Sequence, residues 1–206
     1  MCGIVGYIGD QNASDILVDG LKKLEYRGYD SAGVAVFTQD GIEVVKSKGR
    51  LADLEQKMAS VGKPEGICGI GHTRWATHGE PSDVNSHPHS SKNVSLVHNG
   101  IIENYLPLRQ MLISEGYSFQ SETDTEVVVN LIDSFYHGDP LEAIREAVLR
   151  LEGSYALGII FKDFSDRIYA VRKDSPLIIG LGREENFIAS DIPAILGHTR
   201  DYYLLE

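Results

Sequence analysis

The second residue of the chain is a cysteine, in the run Met1-Cys2-Gly3-Ile4, and its thiol is the strongest candidate nucleophile in the sequence. If Met1 is removed, Cys2 carries a thiol and a free α-amine on one residue. Such an amine has a pKa of about 7.7–8 and a free thiol one of about 8.5, so the amine can accept the thiol proton near neutral pH. The position predicts covalent catalysis, although a cysteine this close to an end can also be accidental.

Four polar segments interrupt the apolar pattern and contain the other groups that an amide hydrolase needs. They cover residues 25–33, 71–81, 97–104 and 121–126. The guanidinium of Arg74 matches an α-carboxylate bidentately, and Asp124 offers a charge partner for an α-ammonium. The side-chain amide of Asn99 and the N–H of Gly100 are donors that could converge on an oxyanion. With Cys2 as nucleophile, these groups fit the side-chain amide of glutamine.

Each of these features also has a simpler interpretation. Asp124 could be only the N-cap of a helix, where aspartate is favoured. Asn99-Gly100 could be only a tight turn, because this dipeptide tolerates positive φ. Arg74 could be only a surface ion-pair partner. Their combination with a cysteine at position 2 favours chemistry over four separate coincidences.

The elements that must hold these residues are short strands and amphipathic helices. Near-continuous apolar runs such as 32–37 and 156–161 are typical of strands buried on both faces. Strands are predicted at 3–8, 32–38, 42–47, 67–72, 94–98, 155–161, 167–172, 177–180, 187–190 and 201–205. Helices are predicted at 13–25, 104–115, from 124 onward and at 140–151. The pattern predicts an α+β fold in which two stacked sheets are covered by helices, a four-layer α/β/β/α sandwich forming a single domain over residues 1–206.

Composition narrows the class of protein. The 206 residues are 42% hydrophobic and 24% charged, which is typical of a globular protein. A net charge of −11 argues against nucleic-acid binding, which normally needs a basic surface. No run approaches the roughly 18–20 apolar residues of a membrane span, and no signal peptide begins the sequence. Two cysteines, Cys2 and Cys68, indicate a reducing compartment, so the cytoplasm is predicted.

The remaining cysteine and the histidines are given structural interpretations. Cys68 lies in a predicted strand and is interpreted as a buried structural residue. The spacing of His72, His78, His87 and His89 fits no zinc pattern, so these are predicted to be hydrogen-bonded loop histidines, with no metal site. No phosphate-binding or dinucleotide-binding motif occurs, and no cofactor is predicted.

Five of these motifs together resemble the N-terminal-nucleophile glutamine amidotransferases. The motifs are Cys2-Gly3-Ile4-Val5-Gly6, Tyr26-Arg27-Gly28-Tyr29-Asp30-Ser31-Ala32-Gly33, Gly71-His72-Thr73-Arg74-Trp75-Ala76-Thr77-His78-Gly79, His98-Asn99-Gly100 and Glu122-Thr123-Asp124-Thr125-Glu126. Further similarity over 175–182 and 185–191 extends the resemblance to nearly the whole chain. Tyr29-Asp30 and Trp75 favour the branch of the family that aminates a sugar phosphate over the phosphoribosyl-pyrophosphate branch.

The resemblance implies a role for each residue of the motifs. Cys2 is implied to be the nucleophile, and Asn99 and Gly100 the oxyanion hole. Arg74 and Asp124 are implied to clamp the carboxylate and ammonium of glutamine. The other implied site residues are the mobile-loop residues Trp75, Thr77 and His78, with Trp75 beside the ammonia exit, and Arg27 in a supporting role.

The resemblance also implies partners that this chain does not contain. The substrate is L-glutamine, and the ammonia passes to a C-terminal sugar isomerase domain that aminates fructose 6-phosphate. The chain ends within a strand-like run, 202–206, which we interpret as a domain cut from a longer polypeptide. The full-length protein is expected to be a homodimer and this chain a monomer. Two alternatives stay open: the same chemistry with another acceptor, such as phosphoribosyl pyrophosphate, and a catalytically inactive glutamine-binding module.

Overall fold

The computed structural model describes residues 2–76 and 79–205, which form two antiparallel sheets. The seven-stranded sheet has the strand order β11-β9-β10-β1-β4-β2-β3, and the four-stranded sheet has the order β5-β6-β7-β8. The strands are β1 (Gly3–Ile8), β2 (Ser31–Thr38), β3 (Gly41–Lys48), β4 (Cys68–Arg74), β5 (His89–Ser90), β6 (Val94–Ile102), β7 (Gly153–Phe161), β8 (Tyr169–Lys173), β9 (Ile178–Leu181), β10 (Asn186–Ala189) and β11 (Tyr202–Leu204).

Helices cover the outer face of each sheet. The helices are α1 (Ala13–Leu24), α2 (Leu51–Val61), α3 (Tyr105–Ser114), α4 (Asp124–Ser134) and α5 (Pro140–Val148). Three of them begin after a side chain that accepts hydrogen bonds from the free N–H groups of the first turn. Asn12 caps α1, Thr123 caps α4, and Asp139 caps α5 ahead of a proline at the first helical position.

Three apolar clusters separate the layers. The first lies between α1, α2 and the seven-stranded sheet, and includes Leu17, Leu21 and Leu54. The second lies between the four-stranded sheet and α3, α4 and α5. The third lies between the two sheets and includes Ile70 and Val97. This arrangement confirms the predicted α+β, four-layer α/β/β/α sandwich.

The predicted helices and strands agree closely with the observed ones, except that helix α2 and the two-residue strand β5 were not predicted. Helix α2 was not predicted, because only Leu51, Leu54 and Met58 of its eleven residues are buried and the apolar signal is sparse. In the structure its first turn is closed by Asp53, whose side chain accepts a hydrogen bond from the N–H of Arg50 at 2.7 Å. In the described part of the chain, no helix has the length and apolar character needed to cross a membrane.

Candidate active site

The predicted site residues within the described ranges line one cavity of about 330 Å³ at an edge of the inter-sheet layer. The residues concerned are Cys2, Arg27, Arg74, Trp75, Asn99, Gly100 and Asp124. Thr77 and His78 lie outside the described residues, as does Met1. Both sheets and the first turn of α4 therefore contribute side chains to the cavity. Residues that are far apart in sequence line the same concave surface.

Cys2 directly precedes β1 and is held through its main chain. Its carbonyl oxygen accepts hydrogen bonds from Asn99 Nδ2 at 3.0 Å and from Arg27 Nε at 3.2 Å. Its sulfur accepts from the N–H of Trp75 at 3.2 Å. Burial raises the pKa of the Cys2 thiol, and the Trp75 N–H opposes this without cancelling it. The thiol is thus positioned but is not deprotonated by its surroundings alone at neutral pH.

Arg27 is a fixed part of this anchor. Its guanidinium is mostly buried and forms an ion pair with Asp191 at 2.8 Å between Nη1 and Oδ2. The hydroxyl of Tyr26 donates to the same carboxylate oxygen at 2.7 Å. A buried guanidinium with a fixed partner holds the Cys2 carbonyl more firmly than a mobile side chain would. This geometry is compatible with the supporting role predicted for Arg27.

Arg74 is the last residue of β4 and is 3% exposed, which rules out the surface ion pair considered above. In the β1–β4 register Gly3 lies opposite Thr73, so Cys2 comes beside Arg74. A Cβ at Gly28 would lie 2.8 Å from the Arg74 carbonyl carbon, so only glycine lets this turn pack against the end of β4. Nη2 of Arg74 donates to the Gly79 carbonyl at 3.1 Å.

Asn99 and Gly100 lie inside β6, so the tight-turn interpretation is wrong. Gly100 has φ +123°, and a Cβ there would lie 2.0 Å from the carbonyl oxygen of Ser154 on β7. Glycine is therefore required at this position by both conformation and space. The strand presents the Asn99 amide and the Gly100 backbone to the cavity, the two groups predicted to form an oxyanion hole.

Asp124 is the first residue of α4 and is 4% exposed. Thr123, and not Asp124, is the N-cap, because its side chain accepts from the N–H of Glu126 at 3.2 Å. The N-cap interpretation of Asp124 is therefore wrong. Its Oδ2 accepts from the N–H of Ile102 at 2.9 Å, which fixes the carboxylate at the cavity wall.

Trp75 lies at the mouth of the cavity and is 48% exposed. Its ring meets the ring of Tyr29 edge-on, with 5.5 Å between centroids. The side chain of Asp30 accepts a hydrogen bond from the N–H of Ala76, and so anchors the chain immediately after Trp75. Asp30 was not assigned a role from the sequence, although it belongs to the motif around Tyr29.

Of the four histidines predicted to lie in loops, two lie in strands, His87 lies in the loop before β5 as predicted, and His78 is outside the described residues. His72 lies in β4, His89 lies in β5, and His87 packs between them, with its ring stacked 4.1 Å from that of His72. His98 lies in β6 and is also buried. Burial lowers the pKa of His72 to about 3 and holds the pKa values of His87 and His89 well below the usual value.

Further cavity residues were missed by sequence reasoning. One wall of the cavity comes from β7 and the β8–β9 loop, which contribute Ser154, Ser175 and Pro176. His87, His98 and Ile101 line other parts of the cavity. Serine and proline carry no spacing signal; Ser175 and Pro176 at least fall in the resembling segment 175–182, whereas nothing in the sequence marks Ser154. Cys68, by contrast, is fully buried away from the cavity, and burial raises its pKa to about 12.

Comparison with protein families gives one match over most of the chain. The family described as "Glutamine amidotransferase domain" matches residues 72–197. Curated relatives named glutamine–fructose-6-phosphate aminotransferase [isomerizing] include a Clostridium perfringens protein that is 63% identical over all of this chain. A Thermus thermophilus protein of the same name is 54% identical. The chain spans about a third of the length of these relatives, 34% of each.

Solved structures of low identity share the fold. The glutamine phosphoribosylpyrophosphate amidotransferase of B. subtilis, complexed with ADP and GMP, superposes with a TM-score of 0.86 at 29% identity, covering 100% of this chain and 45% of that one. A glutamine aminotransferase class-II domain protein from Silicibacter pomeroyi superposes with a TM-score of 0.66 at 15% identity, covering 100% of this chain and 91% of that one. The second likeness concerns the fold alone.

Proposed function

This chain belongs to the glutamine amidotransferase domain family, and we propose that it hydrolyses the side-chain amide of L-glutamine to glutamate and ammonia, with the Cys2 thiol as nucleophile. The observation that carries this proposal is the convergence of Cys2, Arg74, Asn99 and Asp124 on one cavity from four separate segments. A thiol, an amide donor, a buried guanidinium and a buried carboxylate match the reacting group and both charges of an amino acid amide.

In the proposed first step the Cys2 sulfur attacks the amide carbon of glutamine. A C–S bond forms, and the carbonyl oxygen takes the negative charge between the Asn99 amide and the Gly100 N–H. Because burial raises the pKa of the thiol, a base is needed. We assign that role to the α-amine that removal of Met1 gives Cys2, since its ordinary pKa of about 7.7–8 suits proton transfer at neutral pH.

The proton then passes to the departing nitrogen. The C–N bond breaks, ammonia leaves, and a γ-glutamyl thioester remains on Cys2. Water adds to the thioester, the C–S bond breaks, and glutamate is released with the thiol restored. Both half-reactions use the same oxyanion position, so the Asn99 and Gly100 donors serve each of them.

Recognition of glutamine is assigned to the two charged residues of the cavity wall. Arg74 and Asp124 are 3% and 4% exposed, so their interactions with a bound carboxylate and ammonium are poorly screened by water. Trp75, Thr77 and His78 are proposed to close over the substrate, with Trp75 beside the exit for ammonia. Arg27 is proposed to support the site by holding the Cys2 carbonyl.

The proposal for the whole protein rests on the longer relatives. We propose that residues 1–206 form a single domain and that, in a longer chain, a C-terminal sugar isomerase domain uses the ammonia to convert fructose 6-phosphate to glucosamine 6-phosphate. The names of the curated relatives support this acceptor over phosphoribosyl pyrophosphate. We further propose a cytoplasmic homodimer for the full-length protein and a monomer for this chain.

A second candidate function is a glutamine-binding module without catalysis. The raised pKa of the Cys2 thiol favours it for any form that keeps Met1, because an amide nitrogen at Cys2 is not basic. Arg74 and Asp124 would bind glutamine equally well in that form. The two candidates therefore differ in ammonia release and agree in binding.

The decisive experiment compares three proteins whose N-terminal residue is verified by mass spectrometry. Processed wild-type protein should release ammonia from glutamine, and Cys2→Ala should not. Cys68→Ala is the matched control, because Cys68 is buried away from the cavity, and it should keep the wild-type rate. Calorimetric binding of glutamine by processed wild-type protein without ammonia release would contradict the proposal and establish the binding module.

Covalent labelling provides an independent test of the nucleophile. A glutamine analogue that carries an electrophilic carbon in place of the amide should form one adduct, located on Cys2 by peptide mass spectrometry. Excess glutamine should protect Cys2, and Cys68 should remain unmodified. Labelling that glutamine does not slow would show that the reagent reacts without occupying the proposed binding cavity.

A further inference from the structure

His72 lies beneath the proposed oxyanion hole and touches the residue that forms it. The side chain is fully buried, and its Nε2 lies 3.0 Å from the Asn99 Oδ1 and 3.0 Å from the main-chain oxygen of His98. Both neighbours are hydrogen-bond acceptors: the main-chain oxygen of His98 can only accept, and so can the amide oxygen of Asn99. Nε2 must therefore carry a hydrogen, and it donates toward both oxygens.

This donor determines which way the Asn99 amide points. With Oδ1 directed at His72, Nδ2 faces the carbonyl oxygen of Cys2, to which it donates at 3.0 Å. An amide turned the other way would place its oxygen against the Cys2 carbonyl oxygen and its N–H group against the His72 N–H. An NH₂ group has two hydrogens, and the Cys2 carbonyl takes one of them. Asn99 lines the cavity, so the second is available to a bound substrate.

We propose that His72 is a positioning residue, whose Nε2–H holds the Asn99 amide in the orientation that presents an N–H to the developing oxyanion. This inference rests on the proposed hydrolysis of glutamine. It extends the site across the inter-sheet layer, because His72 lies on β4 of the seven-stranded sheet and Asn99 on β6 of the four-stranded sheet. Strand β4 thus contributes Arg74 to substrate binding and, two residues earlier, His72 to the orientation of the oxyanion donor on β6.

The surroundings keep this imidazole neutral and in one tautomer. Nδ1 of His72 has no hydrogen-bond partner among the described residues, so a second proton there would be buried without an acceptor. The His87 ring stacks on one face, and Arg74 adds positive charge nearby. Burial lowers the pKa of His72 to about 3, so a neutral Nε2–H donor is present throughout the working pH range.

The test replaces His72 with residues that keep a neutral N–H donor but place it at different distances from Cβ. The Nε2 of glutamine lies as many bonds from Cβ as the Nε2 of histidine, whereas the amide nitrogen of asparagine is one bond closer. His72→Asn should lower kcat for glutamine roughly 10- to 100-fold, as expected for loss of a partner that orients a functional group, with KM within about threefold. His72→Gln should recover most of the lost kcat.

The control variant is His89→Asn in the same group of buried histidines. Nε2 of His89 meets Thr123 Oγ1 at 3.1 Å and contacts no group of the oxyanion hole, so kcat of the folded protein should stay within about twofold. Iodoacetamide reacts with Cys2 by displacement and needs no oxyanion hole, so its rate should be the same in all variants. A parallel loss of alkylation in His72→Asn would show a general structural role and overturn the proposal.

The outcomes separate this inference from the function on which it rests. If processed wild-type protein releases no ammonia, the function fails whatever position 72 contains. If wild type is active and His72→Asn matches it, the positioning role is wrong. Should His72→Asn not fold, ¹⁵N NMR of the wild-type imidazole at pH 7 decides, with His72→Gln giving the assignment. We expect the neutral tautomer with the hydrogen on Nε2, and a hydrogen on Nδ1 instead would overturn the proposal.

Discussion

The space between the two sheets has an apolar half and a polar end, although both are built by the same faces of the same strands. Along β4 the residues that face the other sheet are Cys68 and Ile70, followed by His72 and Arg74. Side chains of a strand alternate between faces, so these four residues lie in one row. The row is apolar where the sheets pack and polar where they meet the cavity.

Two neighbouring strands repeat this change. On β1, Ile4 packs between the sheets, and Cys2, two residues earlier, reaches the cavity. On β6, Val97 packs between the sheets, and Asn99 follows at the same spacing. The apolar half therefore fixes the register that aligns the polar end, because a slip of one residue would turn every one of these side chains to the opposite face. Stability and chemistry are separated along each strand.

Truncation in the apolar half should give the largest effect, and it should affect stability. Ile70 is fully buried between the sheets, so Ile70→Ala should lower the free energy of unfolding by about 2–5 kcal/mol through lost burial and a residual cavity. Urea titration measures this. At low temperature, kcat of the folded fraction should remain within about threefold of wild type. Loss of activity without loss of stability would contradict the separation.

Truncation at the polar end should affect the rate. Asn99→Ala removes one proposed oxyanion donor and should reduce kcat for glutamine about 10²–10³-fold, which corresponds to about 2.7–4 kcal/mol in the transition state. Steady-state kinetics measure this. The loss of unfolding free energy should be smaller than for Ile70→Ala, because His72 retains the His98 oxygen as an acceptor. A rate within tenfold of wild type would remove Asn99 from the oxyanion hole.

Arg74→Ala, also at the polar end of the inter-sheet space, should weaken glutamine binding more than it slows catalysis. Loss of hydrogen bonds to a charged carboxylate costs about 1.5–3 kcal/mol, so KM for glutamine should rise roughly 10- to 150-fold with a smaller change in kcat. Arg145→Ala is the matched control, because Arg145 lies on the exposed face of α5, away from the cavity, and pairs with the neighbouring Glu142 and Glu146. An unchanged KM in Arg74→Ala would assign the carboxylate of glutamine to another residue.

The buried histidines should make the polar end sensitive to acid. Because burial holds the pKa values of His72, His87 and His89 below the ordinary 6.5, the unfolded chain binds protons below about pH 6.5 that the folded chain does not. The free energy of unfolding should therefore fall as the pH drops below 6.5, by roughly 1.4 kcal/mol per pH unit for each imidazole that stays neutral.

Urea titrations between pH 7 and pH 5 test this dependence. His89→Asn should make the slope shallower by about one proton. A wild-type free energy of unfolding that is constant from pH 6.5 to pH 5 would contradict neutral burial of these rings.

Much of the fold could be predicted because the strands are continuous apolar runs and the long helices carry clear stripes. Helix α2 could not, since three buried side chains in eleven residues give too little contrast with a loop. Residues 99 and 100 were open to a turn interpretation because Asn-Gly is a turn dipeptide. The sheet overrides this preference by pairing Gly100 with Tyr155.

The candidate site could be predicted where a residue type has few other uses at its position, as with Cys2, Arg74 and Asp124. The histidines could not, because a histidine that supports a neighbour and one that faces solvent look identical in sequence. His72 and Asn99 are 27 residues apart on strands of different sheets, so their contact follows from the stacking of the sheets alone. The spacing of residues along the sequence therefore cannot predict the contact between His72 and Asn99.

The attachment of Cys2 through its carbonyl oxygen has a consequence for protein engineering. Arg27 and Asn99 donate hydrogen bonds to the main-chain carbonyl oxygen of residue 2, which every amino acid has. These hydrogen bonds therefore do not depend on the side chain of that residue. An alcohol or a selenol installed there should arrive at the same point in space as the native sulfur. The protein can thus be used to compare oxygen, sulfur and selenium nucleophiles at one fixed main-chain position.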